Sequence, residues 1–526
     1  MYRFSKRALS CFLCLCLMFV ICAARVFTVA TDSKLSEAAV RQSTRLKTIS
    51  GLRGTIYDVN GVPLTNSSER KVTVIFPNEK GAIAAADFWS GEELESVLET
   101  LRLGSPVIVE GALQNNTEGA VTLSVPQRYS GILSHIIGYT DGSGHGVSGL
   151  EKGLDSVLYS QDGIRFSYTT DSNGRMIEGM GWSIETDENF GSVTLTVDSR
   201  LQSVAERALS GAGRGAAVIM DVETNEIRAI VSTPSFSYGN ISESLGSQES
   251  PFVNRALCSY NVGSVFKPVI AAAAIENGMA DYKYTCEGCI TVDGKDFRCN
   301  SWVGHGEIDL ETALAKSCNT YFYTLALQLG ADVIYDMAAR FRFDSFLDLE
   351  GGIKADSGSL PEKTVLENSK AALINLSIGQ GDLMITPVGL SLLYSAIVNN
   401  GEYRLPKIVK SYTHGETDVN TKEAPPTVAM SDRTADILKG YLKTALKNGT
   451  GSTAYVEGID AGGKTGTAQT GWKDGDRSIL NGWFCGFYEG EKRYIITVVK
   501  EDVQSGSVDC APIFRSITEE MKILGF

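Results

Sequence analysis

The chain has 526 residues, with 48 Lys+Arg against 62 Asp+Glu and a formal net charge of −14; that acidic balance argues against a nucleic-acid partner, which needs a basic face. Hydrophobic residues at 43% and charged residues at 21% permit ordinary cores and exclude wholesale disorder. The 4 histidines, His135, His145, His305 and His414, argue against a three-His metal centre.

At very roughly 150 residues per domain, this length implies about two to four domains. At the amino end, Arg3, Lys6 and Arg7 precede an uncharged run from Ala8 to Ala24. A helix over that run rises about 26 Å, close to the roughly 30 Å of a bilayer core. Arg25 can snorkel, and Val26 to Ala30 extends the apolar stretch. The basic cluster favours keeping the short tail in the cytoplasm. A cleaved signal peptide is the alternative, because Thr28-Val29-Ala30 loosely resembles a cleavage site; the run is long for a signal, so a retained anchor is favoured. Bulky Val20-Ile21 argues against a lipid on Cys22. Either reading exports the remaining residues, and no second run approaches spanning length. Outside the membrane ATP and NAD are not at hand, so no cofactor is expected.

Ser33 to Lys47 is a polar stalk, helical or extended. Residues 48–200 mix short strands with Gly- and Asn-marked turns; 72–76, 107–109 and 193–197 read as strands. The spacing predicts a helix over 201–209, stopped by Gly211. A β-hairpin follows, with 216–220 and 227–231 flanking Glu223-Thr224-Asn225. Helices are predicted over 265–277, 310–330 and 386–399, strand character over 481–501, and a terminal amphipathic helix over 512–524. Strands at both ends with helices between them imply an α+β chain with a sheet layered by helices.

The sharpest local feature is Gly263-Ser264-Val265-Phe266-Lys267-Pro268. Pro268 lacks an N–H and clashes with the carbonyl four residues back, so a helix begins near Ser264 instead of running through it. The Ser264 N–H is then an unpaired donor able to face a developing oxyanion. Lys267, three residues on, lies on the same face, near enough to take the serine proton where no histidine is at hand. Ser-x-x-Lys is weak alone: Ser68-Glu69-Arg70-Lys71 also matches, and reads better as a solvated turn. Two further elements raise the specificity: Ser317-Cys318-Asn319 in a helical context, and Lys464-Thr465-Gly466-Thr467 ahead of the final strands. Ser259-Tyr260-Asn261 has the Ser-x-Asn pattern in the wrong order. Gly458 to Thr465 also fits the nucleotide-binding pattern Gly-x4-Gly-Lys-Thr, which needs a strand before it and a helix after it; glycines at 449, 451, 466 and 471 oppose both.

Ser-x-x-Lys, Ser-x-Asn and Lys-Thr-Gly in this order resemble the set of the penicillin-binding proteins and class A β-lactamases. The chain resembles a class B penicillin-binding protein, a membrane-anchored peptidoglycan D,D-transpeptidase, over most of its length. Arg53-Gly54-Thr55-Ile56-Tyr57-Asp58-Val59-Asn60-Gly61 is similar to the family's N-terminal signature, with Val59 where arginine is usual. Gly149-Leu150-Glu151, Thr194 to Asp198, Asn254-Arg255-Ala256, His305-Gly306, Gly379-Gln380-Gly381 and Gly449-Thr450-Gly451 resemble further landmarks. Val262 stands where proline usually precedes Gly-Ser, and the segment before the catalytic block is short for the family.

The resemblance implies three parts: a tail and transmembrane anchor over 1–30, a β-rich pedestal over 31–205, and over 206–526 a penicillin-binding transpeptidase domain with an antiparallel sheet layered by helices. It implies Ser264 as nucleophile, Lys267 as general base and Ser317 as proton relay. Asn319 would bond the acyl donor's backbone, and Lys464, Thr465 and Thr467 its terminal carboxylate. The N–H groups of Ser264 and Thr467 would form the oxyanion hole, and Gly466 would let substrate lie against the strand. Ser264 Oγ, Lys267 Nζ, Ser317 Oγ and Lys464 Nζ should therefore converge on one cleft. Implied partners are peptidoglycan stem peptides, β-lactams as inhibitors, the cytoplasmic membrane, and a polytopic glycan polymerase of the shape, elongation, division and sporulation group, because no glycosyltransferase segment is present. Rival readings are a β-lactamase or D,D-carboxypeptidase, against which the N-terminal signature speaks, and a penicillin-binding scaffold or sensor without turnover.

Of 11 cysteines, Cys11, Cys14, Cys16 and Cys22 lie in the apolar run and seven do not, an odd number that cannot pair fully. Cys286, Cys289, Cys299, His305 and Cys318 have spacing that could supply three or four zinc ligands. A Cys286–Cys299 disulfide or free thiols are together favoured over the metal, so no metal ligand is assigned from sequence. The Cys318 side chain should point away from the substrate cleft, because it sits between Ser317 and Asn319.

Overall fold

The computed structural model describes residues 2–113, 118–187, 189–415 and 417–526. The chain divides into two compact units, and the division is not a single cut: one holds 1–53, 68–127 and 160–189, the other 54–67, 128–159 and 190–526.

In the first unit a helix runs over Tyr2–Thr31, and within it Lys6–Thr31 is 26 residues long and holds an 18-residue stretch with a mean hydropathy of 2.5 and no burial. At about 1.5 Å per residue it spans roughly 39 Å, enough to cross a membrane with some tilt. A shorter helix, Ser33–Ser43, is capped by Asp32, whose side chain accepts from the Lys34 N–H. It leads into Thr44–Ser50, which pairs antiparallel with Ile164–Thr169, itself paired with Trp182–Thr186. A second sheet has the order Val107–Glu110, Thr65–Ile75, Ala120–Tyr129. The Ser68 to Lys71 decoy lies in the middle strand of that sheet, not in a turn, and Ser68 is exposed.

The second unit is built on five antiparallel strands: β1 (Gly215–Asp221), β2 (Ile227–Thr233), β3 (Asp460–Asp474), β4 (Arg477–Glu489) and β5 (Arg493–Glu501), in the spatial order β2-β1-β5-β4-β3. Every residue of β1 is buried, because helices cover both faces. Ala217, Ile219, Phe484, Ile496 and Val498 pack with α1 (Ser199–Leu209) and α7 (Ala511–Ile523). The alternate residues Ala216, Val218, Met220, Trp483 and Cys485 share the other core with α2 (Lys267–Glu276) and α5 (Pro387–Val398). The two-residue period thus splits the apolar runs between two cores. α5 is buried along its whole length and α2 at eight of its positions, so neither shows a polar face in sequence.

One expectation needs correction. The predicted helix over 310–330 is two helices, α3 (Leu310–Ala315) and α4 (Asn319–Leu329). The Lys464 element precedes the final strands β4 and β5, as expected, and itself lies in a strand the sequence did not show, β3, at the sheet edge. Between α5 and β3 runs α6 (Asp432–Asn448), capped by Ser431 and not predicted.

Candidate active site

Ser264 sits in a 3-10 turn, Gly263–Phe266, which passes directly into α2 with Pro268 in its first turn. The missing N–H of Pro268 costs nothing there. Gly263 has φ +64, and a Cβ on it would stand 2.5 Å from the Thr467 carbonyl oxygen. Only glycine lets this turn lie so close to the edge of β3. Its N–H donates to the Gly379 carbonyl at 2.8 Å, which ties the Gly379-Gln380-Gly381 landmark to the turn. Gly466 is packed equally tightly, since an added Cβ would lie 2.7 Å from the Val262 carbonyl oxygen, so its missing side chain makes room for the Ser264 turn and not, as expected, for substrate.

Ser317 breaks the predicted helix. It has φ +56; its N–H donates to the Leu314 carbonyl at 3.2 Å and the Cys318 N–H to the Ala313 carbonyl at 2.9 Å. This pair of bonds is a Schellman turn with serine in the left-handed position where glycine is usual. Strain of this kind persists where surrounding contacts hold the residue in place. Here they come from Lys267: its Nζ lies 2.8 Å from the Ser317 carbonyl oxygen, 3.1 Å from Ser317 Oγ and 2.8 Å from Asn319 Oδ1.

Lys267 is fully buried, and loss of hydration brings its pKa from 10.5 to about 7. An ammonium donates all three of these bonds. The neutral amine donates two and accepts one, and Ser317 Oγ is the partner with a proton to give, because the other two are carbonyl oxygens. The geometry thus provides a continuous proton path between Lys267 and Ser317. Ser264 is half-buried, and its hydroxyl forms no hydrogen bond among the described residues. Hydrogen bonds to catalytic groups often close only in the complex with substrate.

Lys464 is also fully buried, donating to Thr450 Oγ1 at 3.2 Å and to the Thr465 carbonyl at 3.0 Å. Burial pushes its pKa well down, and the positive charge of Lys267 pushes it further, so the two lysines share one electrostatic neighbourhood. Thr450 Oγ1 lies 2.7 Å from Thr465 Oγ1, and the Gly506 N–H donates to Thr467 Oγ1 at 3.1 Å. The sequence motifs omit Thr450 and Gly506; the Gly449-Thr450-Gly451 landmark was the available signal for the first, and no signal marked the second. Because Lys464 lies in a strand and no helix follows it, the nucleotide-binding pattern over Gly458 to Thr465 lacks its required context.

The other landmarks brace the same unit. Asp58 is fully buried and accepts from the Ser199 N–H and hydroxyl at 3.1 and 2.8 Å, fixing the start of α1. Glu151, also fully buried, pairs with Arg128 at 2.8 Å.

A family profile described as the penicillin binding protein transpeptidase domain matches residues 215–519. Among relatives, the chain is 26% identical over 514 residues to stage V sporulation protein D of Bacillus subtilis, covering 89% of this chain and 77% of the relative. It is 26% identical over 535 residues to the peptidoglycan D,D-transpeptidase FtsI of Escherichia coli K12, covering 93% of this chain and 86% of the relative. Among solved structures, the D,D-transpeptidase domain of a peptidoglycan glycosyltransferase from Eggerthella lenta has a similar fold, with a TM-score of 0.65 at 24% identity, covering 91% of this chain and 100% of that one. Penicillin binding protein 3 of Mycobacterium tuberculosis, complexed with aztreonam, gives a TM-score of 0.67 at 23% identity, covering 91% and 97%. With its profile match across the sheet, the Ser264 turn and the Lys464 strand, this chain belongs to the penicillin-binding protein transpeptidase family, as a class B member.

Proposed function

We propose that the protein cross-links peptidoglycan stem peptides as a serine D,D-transpeptidase, held in the cytoplasmic membrane by Lys6–Thr31 with its second unit outside. The observation that carries this reading is the meeting of Lys267, Ser317 and Asn319 within 3.1 Å, one turn from Ser264, whose own turn packs on Thr467 of the strand that carries Lys464. Neutral Lys267 takes the Ser264 proton as Oγ attacks the carbonyl of the penultimate D-alanine. The N–H groups of Ser264 and Thr467 receive the oxyanion. The C–N bond then breaks, Lys267 returns its proton through Ser317 to the departing D-alanine amine, and an ester on Ser264 remains. An amine of a neighbouring stem peptide attacks that ester, its proton passes back along the same path to Ser264, and a new amide forms.

Lys464, Thr465 and Thr467 would hold the donor's terminal carboxylate, whose charge would offset the cost of a buried ammonium at Lys464. Asn319 would bond the donor backbone, lying along the edge of β3. A β-lactam would enter as a strained donor and stay on Ser264. Glycan strands would come from a polytopic polymerase partner meeting the anchor and the first unit.

The test is fluorescent penicillin labelling of wild type and Ser264→Ala, followed by a cross-linking assay on nascent glycan. Labelling should vanish in the variant, and wild type should release D-alanine and form dimeric stem peptides. Labelling that survives Ser264→Ala removes the nucleophile. D-alanine release without dimers supports a carboxypeptidase, and labelling with neither product supports a scaffold or sensor.

A further inference from the structure

Thr450 stands beside two of the residues that would take the donor's carboxylate, Lys464 and Thr465. It follows α6, and its backbone is held on two sides: its N–H donates to the Ala315 carbonyl at 3.0 Å, and its own carbonyl accepts from Ser507 Oγ at 3.0 Å. Ala315 ends α3 just before the Ser317 turn, and a Cβ on Gly449 would stand 2.3 Å from the Ala315 carbonyl oxygen. Thr450 is therefore fixed between that turn and β3 without help from its hydroxyl. The hydroxyl itself faces β3, 3.2 Å from Lys464 Nζ and 2.7 Å from Thr465 Oγ1.

The direction of these bonds follows from the chemistry of the groups. An ammonium has N–H donors and no lone pair, so Lys464 donates to Thr450 Oγ1. Thr450 keeps one proton to give, and the acceptor that it meets among the described residues is Thr465 Oγ1. Thr465, having accepted, keeps its own proton free. Lys464 has a second acceptor in the Thr465 carbonyl at 3.0 Å and no third among the described residues, so one N–H of the ammonium is free as well. Thr467 Oγ1 receives the Gly506 N–H at 3.1 Å, which fills a lone pair and spares that proton too. Free protons on Lys464, Thr465 and Thr467 suit a group that only accepts, such as a carboxylate. They suit an amide poorly, because its NH2 would meet them donor to donor.

We infer that Thr450 is a positioning residue for carboxylate recognition: its hydroxyl accepts from Lys464 and donates to Thr465, so that both turn their remaining protons to the terminal carboxylate of the stem peptide or of a β-lactam. The identity of that ligand rests on the transpeptidase reading. A second effect runs the same way. Burial drives Lys464 toward its neutral form, and Thr450 Oγ1 is one of the two acceptors that oppose this. Without the hydroxyl, Lys464 loses its proton more readily and Thr465 is free to turn its own away from the ligand.

The test compares Thr450→Val, which removes the hydroxyl and keeps the branch, with Thr450→Ser, which keeps the hydroxyl, in the full chain in detergent. Stopped-flow acylation over a range of penicillin concentrations separates the dissociation constant of the first complex from the rate within it. Thr450→Val should weaken the first complex by about tenfold or more, as for loss of a hydrogen bond to a charged group, and change the rate within it by less than about threefold. Thr450→Ser should stay within about threefold of wild type in both. The alkaline limb of the first complex, set by loss of the Lys464 proton, should move to lower pH in Thr450→Val. On a Ser264→Ala background binding is reversible, and saturation-transfer NMR with benzylpenicillin and its methyl ester reads carboxylate recognition apart from acylation; the preference for the acid should fall by about tenfold in Thr450→Val. Should Thr450→Val fail to fold, Thr450→Ala gives the same comparison with less bulk. Unchanged binding in Thr450→Val, equal damage in Thr450→Ser, an unmoved alkaline limb, or a loss confined to the acylation rate would each overturn the role. A protein that never labels, but whose preference for the acid still depends on the Thr450 hydroxyl, would count against the transpeptidase reading alone.

Discussion

Lys267 Nζ lies 3.1 Å from Ser317 Oγ, across a sequence separation of 50 residues, and both are buried. One residue begins a helix and the other interrupts one, so two helix ends supply the proton path. Lys267→Met keeps the approximate length and removes the base. General-base catalysis is worth about 10²–10⁴-fold, so penicillin acylation should slow by at least about a hundredfold. Thermal stability should fall, by about 1–3 kcal/mol, because the Ser317 carbonyl and Asn319 Oδ1 lose their buried donor and the left-handed Ser317 loses its restraint. Stopped-flow acylation and a thermal melt on the same sample check both; a rate within about threefold of wild type would exclude Lys267 as the base.

The Ser264 turn depends on its glycine. In Gly263→Ala the methyl group would meet the Thr467 carbonyl oxygen at 2.5 Å while φ stays at +64. The left-handed conformation alone costs about 1–2 kcal/mol, and relief of the contact must push the turn off β3. We expect a loss of about 2–3 kcal/mol in chemical denaturation together with acylation slowed by more than tenfold. A stable variant with normal acylation would mean that the close approach to β3 is not required.

Some of this was plain in the sequence and some was not, for physical reasons. The β1–β2 hairpin showed because its apolar runs flank a turn, and α7 because it packs one face against the sheet. β3 did not show: Ala461-Gly462-Gly463-Lys464-Thr465-Gly466-Thr467 has no apolar alternation, and it is a strand because β4 pairs with it throughout. The break at Ser317 was hidden because apolar spacing continues across it from Leu310 to Leu325, and only the backbone reveals the left-handed residue. The three motifs named the site's residues, but residue names carry no distances. That Lys267 would bond Ser317 and Asn319, or that Thr450 would bond Lys464, depends on how α3, α4 and β3 pack. Likewise, spacing grouped Cys289 with Cys286, whereas the structure gathers Cys286, Cys299, His305 and Cys318 within 4.8 Å of one another and leaves Cys289 out.

His135 gives a pH dependence with a definite sign. Its Nε2 donates to the Pro251 carbonyl at 2.7 Å, and burial, opposed by that bond and aided by the charge of Arg255, lowers its pKa from 6.5 to about 4. Between these values the unfolded chain binds a proton that the folded chain does not. This contribution is therefore complete above about pH 6.5 and is lost as the pH falls toward 4, at up to about 1.4 kcal/mol per pH unit. Urea unfolding at pH 7, 6 and 5 should show a shallower decline for His135→Gln, which keeps a donor but does not titrate. Parallel profiles for the two proteins would contradict the shift.

Arg255 and Glu501 join the segment before Ser264 to the end of β5. Arg255 Nε lies 2.9 Å from Glu501 Oε1, and the Tyr260 hydroxyl donates to the same oxygen at 3.0 Å. The other guanidinium nitrogens donate to the Ser250 and Glu249 carbonyls at 3.3 and 3.1 Å. The Arg255 side chain is 3% exposed and that of Glu501 24%, so removing the carboxylate strands a buried charge while the carboxylate itself gives up some hydration. Glu501→Gln should cost about 2–3 kcal/mol, toward the lower end for breaking a buried pair. Arg255→Met should cost a similar amount, but the double variant should be less damaged than the sum, by at least about 1 kcal/mol, because neither charge remains to be stranded. Since Tyr260 also pairs with Ile385 through backbone bonds at 3.0 and 2.9 Å, the segment keeps a second anchor, and acylation in Glu501→Gln should fall only a few-fold. Additive stability losses would show that Arg255 is held by its carbonyl partners and not by Glu501.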